Sequence, residues 1–306
     1  MGIKLSVIVP TYNREALLRD TLRNVLQYRA QYHELIVVDQ TKRHEDETKK
    51  FLDALAASND IVYVVQNFPN LPEARNTGLK KASGNLILFL DDDVSIGKGF
   101  IPAHIARHGD PETGCVTGKV EIQNRSRPGN AVLDNASSVK TALKKGFFFF
   151  LRKKASYVGR FGVISNFSGS RGLPADTAIG CNMSFKREIF DVCGFFDGNY
   201  TGNAVREDTD MSIRVRKNGY KIYYDPKAAL VHFMENSGGS RTADSGEYWR
   251  VFFRNQCYFY IKNFNSGKFL LKGVLFFDLR RCKKNGLDEK KIFALSYLEA
   301  LELATR

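Results

Sequence analysis

Three consecutive carboxylates, Asp91, Asp92 and Asp93, have the clearest chemical potential in this chain. They follow the apolar run Leu86–Leu90, which is typical of a strand buried on both faces of a parallel sheet. In open α/β sheets, ligands bind beyond the carboxyl ends of such strands. Adjacent carboxylates repel one another unless a positive charge lies among them, so a divalent cation holding a phosphate would suit this position. A solvated acidic turn is the alternative.

The net charge of +13 on 306 residues comes from two segments. Residues 140–160 hold seven Lys/Arg and no acidic residue, and residues 262–291 hold nine Lys/Arg against three acidic residues. Such basic surfaces suit nucleic acid, anionic lipid or a phosphorylated substrate.

Cysteine usage and hydropathy indicate the compartment. Five scattered cysteines without disulfide or metal-site spacing favour free thiols in a reducing cytosol. The sequence shows no signal peptide and no apolar run near the roughly 18–20 residues of a membrane span. We therefore expect a cytoplasmic protein.

Alternating strand and helix patterns around the carboxylates predict a parallel sheet. Apolar runs at 4–10, 34–39, 61–65 and 85–90 alternate with helical patterns after Asn13, at 48–57 and at 72–82. Asn13 is the predicted cap of the first helix, and Pro72 fits the first turn of the third. This order is typical of a nucleotide-binding sheet with right-handed crossovers.

After Asp93 the pattern changes. We expect short strands at 116–122, 220–224 and 230–232, helices at 187–192 and from Glu207, and mainly helix after Tyr248. The sequence contains no Gly-rich dinucleotide or P-loop motif. Any ligand bound at the edge of this sheet must therefore be contacted by polar side chains at the strand ends.

Several short motifs across about residues 3–235 resemble, in order and spacing, glycosyltransferase family 2 with the GT-A fold. The motifs are Ser6–Arg14, Val37–Asp39, Ala74–Gly78, Gly84–Asp93, Gly180–Ser184, Gly194–Asp197, Glu207–Asp210 and His232. The resemblance implies an α/β fold with a Rossmann-like mixed sheet and helices on both faces. It divides a GT-A domain at 1–235 into a nucleotide-sugar-binding half at 1–95 and an acceptor half at 96–235. A helical, basic and aromatic extension follows at 236–306.

The resemblance also implies an inverting, non-processive enzyme. It would move one sugar from a nucleoside-diphosphate donor, by default a UDP-sugar, to a hydroxyl of a glycan or lipid-linked acceptor in surface polysaccharide or glycolipid synthesis. Mg²⁺ or Mn²⁺ would serve as cofactor, held by Asp93, Asp91 and His232. For His232 a structural role is the alternative, because a lone histidine is often structural.

The expected donor site contains polar residues at the ends of the first, second and fourth strands and on the third helix. These residues are Pro10, Thr11, Tyr12, Asp39, Arg75, Asp91 and Asp92. Asp39 can accept hydrogen bonds from a base or ribose, and capping of the next helix is its alternative role. The Arg75 guanidinium beside a helix N-terminus suits a diphosphate, although it could be an exposed surface arginine.

The expected acceptor side lies around Asp208. As general base, Asp208 would take the proton of the acceptor hydroxyl, and one carboxylate suffices because no covalent intermediate forms. Glu207 and Asn182 are expected to contact the acceptor. The alternative is that the acidic residues at 207–210 only favour a helix N-terminus.

Two departures from the family pattern are visible. Gln40-Thr41 follows Asp39 where many members have a Gly/Ser-containing loop, which affects the expected base and sugar contacts. The Q/RxxRW motif of processive synthases is missing, and Glu247–Arg250 is the nearest approach to it, which favours single addition. Arg241 follows a Gly/Ser segment that could close over the diphosphate or be a plain linker.

Two basic segments contain aromatic runs suited to a membrane surface. Phe147–Phe150 is flanked by lysines and arginines, and the apolar stretch 269–277 precedes another basic run. Aromatic rings can enter the headgroup boundary while Lys and Arg meet anionic lipid. We expect peripheral contact with the inner face of the cell membrane through 140–160 and 262–291. Core packing or a homodimer interface is the alternative.

Two rival functions are weighed against this interpretation. A sugar-phosphate nucleotidyltransferase would need a Gly-rich basic loop after the first strand, where this chain has Pro10–Asn13. A non-enzymatic protein that binds nucleic acid or membrane would explain the basic segments but not the acidic cluster. No nucleic-acid recognition motif is found, so we expect no nucleic-acid partner.

Overall fold

A computed structural model of the chain describes residues 2–124, 127–132, 153–234 and 246–305. Its first part alternates strand and helix, as the sequence predicts. The elements are β1 (Leu5–Thr11), α1 (Ala16–Leu26), a 3-10 turn (Arg29–Gln31), β2 (Glu34–Asp39), α2 (Asp46–Ala57), β3 (Val62–Val65), α3 (Leu71–Lys81) and β4 (Leu86–Leu90). β1 pairs in parallel with both β2 and β4, and β2 with β3, which brings the carboxyl ends of these strands to one edge.

The second part turns the sheet into a mixed one. It comprises β5 (Val94–Ile96), α4 (Phe100–Arg107), β6 (Thr113–Asn124), β7 (Arg127–Val132), β8 (Ser156–Gly159), β9 (Gly162–Ser165), β10 (Leu173–Ala175), β11 (Asn182–Lys186), α5 (Glu188–Cys193), α6 (Glu207–Lys217) and β12 (Lys221–Met234). β11 runs antiparallel between β4 and β6, and the order is β10-β12-β6-β11-β4-β1-β2-β3. The two strands predicted at 220–224 and 230–232 are one strand, because β12 continues past a bulge beside β6.

Helices cover both faces of this sheet, as predicted. Side chains on β4 alternate between the two cores: Phe89 belongs to the core under α3, α5 and α6, and Leu88 to the core under α1, α2 and α4. All five residues of β4 are buried. The continuous apolar sequence before Asp91 is therefore explained by burial on both faces.

Four helices follow: α7 (Gly246–Phe264), α8 (Lys268–Val274), α9 (Phe276–Lys284) and α10 (Glu289–Thr305). They share a third core around Trp249, Phe253 and Phe293. Lys262 on α7 lies 3.0 Å from the Asp210 carboxylate of α6 and 2.7 Å from that of Asp197. The helical region is thus anchored directly to the helix that carries Asp208.

One local prediction is wrong. Asn13 does not cap α1, which begins at Ala16 after Glu15. Instead Asn13 adopts a left-handed backbone conformation (φ 51°), and its N–H donates to the Thr41 hydroxyl at 2.8 Å. The chain needs this tight turn to leave β1, and Asn is one of the residues that tolerate it. α3 does have a side-chain cap, since Asn70 accepts from the Glu73 N–H at 3.0 Å.

Some sequence predictions fall on parts of the chain that the structure does not describe. The Phe147–Phe150 run and Arg241 both lie outside the described residues. Within the described residues, every helix is too short or too polar to cross a bilayer.

Candidate active site

The three carboxylates form the turn between β4 and β5. β5 pairs with β12 so that Val94 lies opposite His232, and the Phe233 N–H donates to the Asp93 carbonyl at 2.8 Å. This register places His232 Nε2 2.8 Å from Asp93 Oδ1. Asp93 and His232 are 139 positions apart in the sequence, and the pairing of β5 with β12 makes them neighbours.

A divalent cation fits this corner of the fold. One ligand atom from each of Asp91, Asp93 and His232 can be chosen so that all three lie within 4.8 Å of one another. Carboxylate oxygens suit Mg²⁺ and Mn²⁺, and Mn²⁺ also accepts imidazole nitrogen. The three predicted metal ligands are thus brought together by the structure.

Arg14 supplies positive charge to the acidic turn. Its Nη2 lies 3.0 Å from Asp93 Oδ2, and its Nε lies 3.5 Å from Asp92 Oδ1. Asp92 also accepts a hydrogen bond from the Thr11 hydroxyl at 2.6 Å. Burial and the neighbouring Asp93 charge raise the pKa of Asp92 to about 7, against the lowering effect of Arg14. The contacts of Asp92 with Thr11 and Arg14 therefore hold the turn in place.

A cavity of about 300 Å³ opens over this turn. Among the predicted site residues, its wall includes Pro10, Thr11, Tyr12, Asp91, Asp92, Asp93 and His232. It also includes Arg14, Gln40, Asn70 and Gly202, to which the sequence interpretation gave no role. Arg14 is part of the motif Ser6–Arg14. Three adjacent carboxylates require a positive charge nearby, and this requirement could have identified Arg14 as their partner.

Asp39 lies at the end of β2, next to the cavity-lining Gln40 and almost fully buried. Its carboxylate accepts from the Thr41 N–H (2.8 Å), His44 Nε2 (2.7 Å) and the Tyr63 hydroxyl (2.5 Å). Burial alone would raise the pKa of Asp39, but these hydrogen bonds outweigh it and lower the pKa below its usual value. Asp39 is thus an ionised carboxylate with a fixed orientation. It does not cap α2, which begins after Glu45.

His44 completes this cluster and was not predicted. Its Nδ1 lies 3.0 Å from Glu15, so the imidazole is placed between two carboxylates. Burial lowers the pKa of His44, but contacts with Asp39 and Glu15 outweigh burial and raise it above the usual value.

Arg75 on α3 is 1% exposed, which excludes the surface-arginine alternative. Its guanidinium pairs with Glu207 and lies 3.5 Å from Asp91 Oδ1. It also donates to the Gly180 carbonyl at 3.2 Å. Arg75 therefore connects the acidic turn with the first residue of α6.

Asp208 follows on α6 and is partly exposed. Its Oδ2 accepts from the Gly180 N–H at 3.0 Å, and its Oδ1 accepts from the Thr209 N–H at 2.6 Å. The neighbouring Glu207 is buried and paired with Arg75: burial raises the pKa of Glu207, and the Arg75 guanidinium opposes that change. Of the two acidic side chains, Asp208 is the one with access to solvent.

Asn182, like Asp39, Arg75, Glu207 and Asp208, is a predicted site residue that does not line the cavity. It begins β11 with its side chain fully buried. Its amide donates to the carbonyls of Lys119 (3.2 Å) and Ala228 (2.9 Å), and its oxygen accepts from His104 Nε2 at 2.9 Å. These contacts tie three sheet strands and α4 together.

The chain is similar in sequence to known bacterial proteins. Staphylococcus aureus (strain COL) poly-beta-1,6-N-acetyl-D-glucosamine synthase is 24% identical over 227 residues, covering 73% of this chain and 48% of that one. A Campylobacter jejuni GalNAc(5)-diNAcBac-PP-undecaprenol beta-1,3-glucosyltransferase is 36% identical over 99 residues, 31% of each chain. The chain spans about half the length of the first of these relatives.

The chain is also similar to solved structures and to a family model. The crystal structure of GalNAc-T7 with UDP, GalNAc and Mn²⁺ matches with a TM-score of 0.59 at 16% identity, covering 85% of this chain and 50% of that one. The fold is accordingly the GT-A fold expected from the sequence, with a helical C-terminal region. Residues 6–193 match the model of "Glycosyl transferase family 2". This chain therefore belongs to glycosyltransferase family 2.

Proposed function

We propose that this enzyme transfers a single sugar, with inversion, from a UDP-sugar or another nucleoside-diphosphate sugar to a hydroxyl of a glycan or lipid-linked acceptor. The observation that carries the proposal is the connection between the candidate metal site and the start of α6, where Asp208 lies. The cluster of Asp91, Asp93 and His232 lies on the cavity wall, and Arg75 connects Asp91 with Glu207, the residue before Asp208.

The donor would occupy the cavity with its diphosphate at the acidic turn. A divalent cation held by Asp91, Asp93 and His232 would neutralise the charge on the departing diphosphate. Arg14 and Arg75 keep these carboxylates in position by ion pairing. Thr11, Tyr12 and Gln40 lie on the cavity wall. The neighbouring Asp39 carboxylate, held by His44 and Tyr63, would contact the nucleoside.

Asp208 would act as the general base. Its carboxylate takes the proton of the acceptor hydroxyl while the acceptor oxygen bonds to the anomeric carbon from the face opposite the nucleotide. The bond from that carbon to the phosphate oxygen breaks, and its electron pair leaves on the diphosphate. The Gly180 N–H holds Asp208 Oδ2 and so restricts the direction of the carboxylate.

The relatives guide the choice of acceptor and location. One is named as a polysaccharide synthase and one as a glucosyltransferase acting on a diphosphate-linked undecaprenol. We assign donor binding to residues 1–95, acceptor binding to 96–235 and a peripheral location at the inner face of the cell membrane. The mixed sheet changes from parallel to antiparallel strands where the first two segments meet.

The test is to measure donor binding and turnover of nucleoside-diphosphate sugars with Mn²⁺ in three variants. Asp208→Asn should retain donor affinity and lose about 10²–10⁴-fold in kcat. Asp93→Ala should lose donor affinity. Asp191→Asn, at an exposed position on α5, should match the parent enzyme in both measurements.

Two results would contradict the proposal. Full turnover by the Asp208→Asn enzyme would exclude Asp208 as base. A parent protein that bound no nucleoside-diphosphate sugar with Mg²⁺ or Mn²⁺ present would overturn the assigned reaction.

A further inference from the structure

Helices α8 and α9 have an outer face that combines exposed aromatic rings with cationic side chains. Phe269 is 93% exposed, Phe276 48% and Phe277 51%. On the opposite side, Leu271, Leu275 and Cys282 are buried in the core of the helical region. The three phenylalanines are therefore not needed for that core, and they expose a large apolar area to water.

The same outer face is strongly basic. Residues 268–284 contain six Lys/Arg and one acidic residue, Asp278. The exposed residues Phe269, Lys272, Phe276, Arg280 and Lys283 follow one another at steps of three or four, and only Leu275 separates the two helices. Rings and cations are interleaved along both helices, and the Arg280 guanidinium lies over the Phe276 ring, 5.6 Å from its centroid.

A second element with the same chemistry lies beside the end of α7. The β8–β9 hairpin ends in Arg160 and Phe161, and Phe161 is 77% exposed. Arg160 donates to the carbonyl of Phe264, the last residue of α7, at 3.2 Å. This contact fixes the hairpin tip beside the turn that leads into α8.

We propose that the outer face of α8–α9, together with the Arg160–Phe161 tip, docks on an anionic lipid surface. Rings at the headgroup boundary leave water, and neighbouring Lys and Arg pair with lipid phosphates. Charge complementarity favours this occupant over a second copy of the chain, because two such faces would bring like charges together. The three phenylalanines are exposed on helices, whereas proteins that bind single strands use a basic groove that follows the nucleic-acid backbone.

Vesicle flotation tests the proposal with the full chain. The parent protein should bind phosphatidylcholine vesicles that contain phosphatidylglycerol, bind pure phosphatidylcholine vesicles far less, and dissociate as salt rises. Phe269→Ser/Phe276→Ser/Phe277→Ser should lower vesicle affinity by about tenfold or more. Lys272→Gln/Arg280→Gln/Lys283→Gln should lower it on the order of 100-fold.

A matched control uses exposed leucines outside this surface. Leu295 and Leu298 on α10 are 46% and 59% exposed, so Leu295→Ser/Leu298→Ser removes exposed apolar side chains elsewhere on the protein. This variant should bind vesicles like the parent. Circular dichroism and turnover with a short, water-soluble acceptor should be unchanged in all three variants, since none of the substituted residues lines the donor cavity.

Several outcomes would overturn the proposal. These are equal binding to neutral and anionic vesicles, unchanged binding by both surface variants, or an equal loss in the leucine control. A dimer that becomes monomeric in the phenylalanine variant would assign the face to a second copy, and tighter binding to single-stranded RNA than to vesicles would assign it to nucleic acid. Vesicle binding needs neither donor nor acceptor, so its failure is distinguishable from failure of the proposed reaction.

Discussion

Arg75 and Glu207 form a buried ion pair that joins α3 to the start of α6. The two residues lie 132 positions apart, and each side chain is almost fully buried. The pair connects the half of the fold that carries the acidic turn with the helix that carries Asp208. Its loss should therefore affect both folding and catalysis.

Removing one partner of this pair should destabilise the protein strongly. Arg75→Met leaves the Glu207 carboxylate buried without its cation, and we expect a loss of about 3–5 kcal/mol in the free energy of unfolding. The double variant Arg75→Met/Glu207→Met should regain much of that stability and remain inactive. Denaturant unfolding measures the first effect and turnover the second.

The exposed pair Lys49–Asp53 on α2 provides the control. Lys49→Met should change stability by less than about 1 kcal/mol. If Arg75→Met were equally mild, the Arg75–Glu207 pair would have no structural importance.

Gly180 should tolerate no side chain. A Cβ there would lie 2.8 Å from Arg75 Nη2 and 3.2 Å from Glu207 Oε1. Because Arg75 is buried and has little room to move, Gly180→Ala should displace the ion pair and lower kcat while donor affinity changes less. Gly97→Ala is the matched control, since a Cβ at Gly97 meets nothing within 4 Å. Identical kinetics in the two variants would contradict the close contact.

His44 should stabilise the fold in a pH-dependent way. Its pKa is raised in the folded protein, so its charge contributes fully below the unfolded value of about 6.5 and ceases to contribute as pH rises through the folded pKa. His44→Gln should therefore cost more stability at about pH 5.5 than at about pH 9. His33→Gln, at an exposed position, serves as the control in denaturant unfolding at both pH values. If the loss of stability in the His44→Gln variant increased with pH, the assigned role of the His44 charge would be wrong.

Metal affinity should separate the roles within the acidic turn. His232→Ala removes one of the three clustered ligands, and Mn²⁺ affinity should fall about tenfold or more. Asp92→Asn should weaken Mn²⁺ binding less, because Asp92 contacts Thr11 and Arg14 inside the protein. Calorimetric titration with Mn²⁺ measures both, and the reverse order would contradict these assignments.

Local sequence patterns predicted the first part of the fold well. The apolar run before Asp91 is a strand buried on both faces, and helices alternate with strands up to β4 as expected. Each such element has a signature within a few neighbouring residues. Asn13 is a counterexample: its type suits a helix cap, but the exit from β1 requires a left-handed residue there.

Long-range relationships could not be predicted from the residues alone. His232 was recognised as the end of a strand, yet its contact with Asp93 depends on the pairing of β5 with β12. Arg14 and His44 were missed because their partners depend on how separate strand ends come together. Asn182 was placed in the acceptor site, although the pleat of β11 turns its side chain into the core.

Gly180 contacts charged groups on both of its sides. Its carbonyl accepts from Arg75, and its N–H donates to Asp208. Two adjacent peptide units thus separate the Arg75 guanidinium from the Asp208 carboxylate. A shift of the backbone at Gly180 would therefore disturb the hydrogen bonds to Arg75 and to Asp208 together.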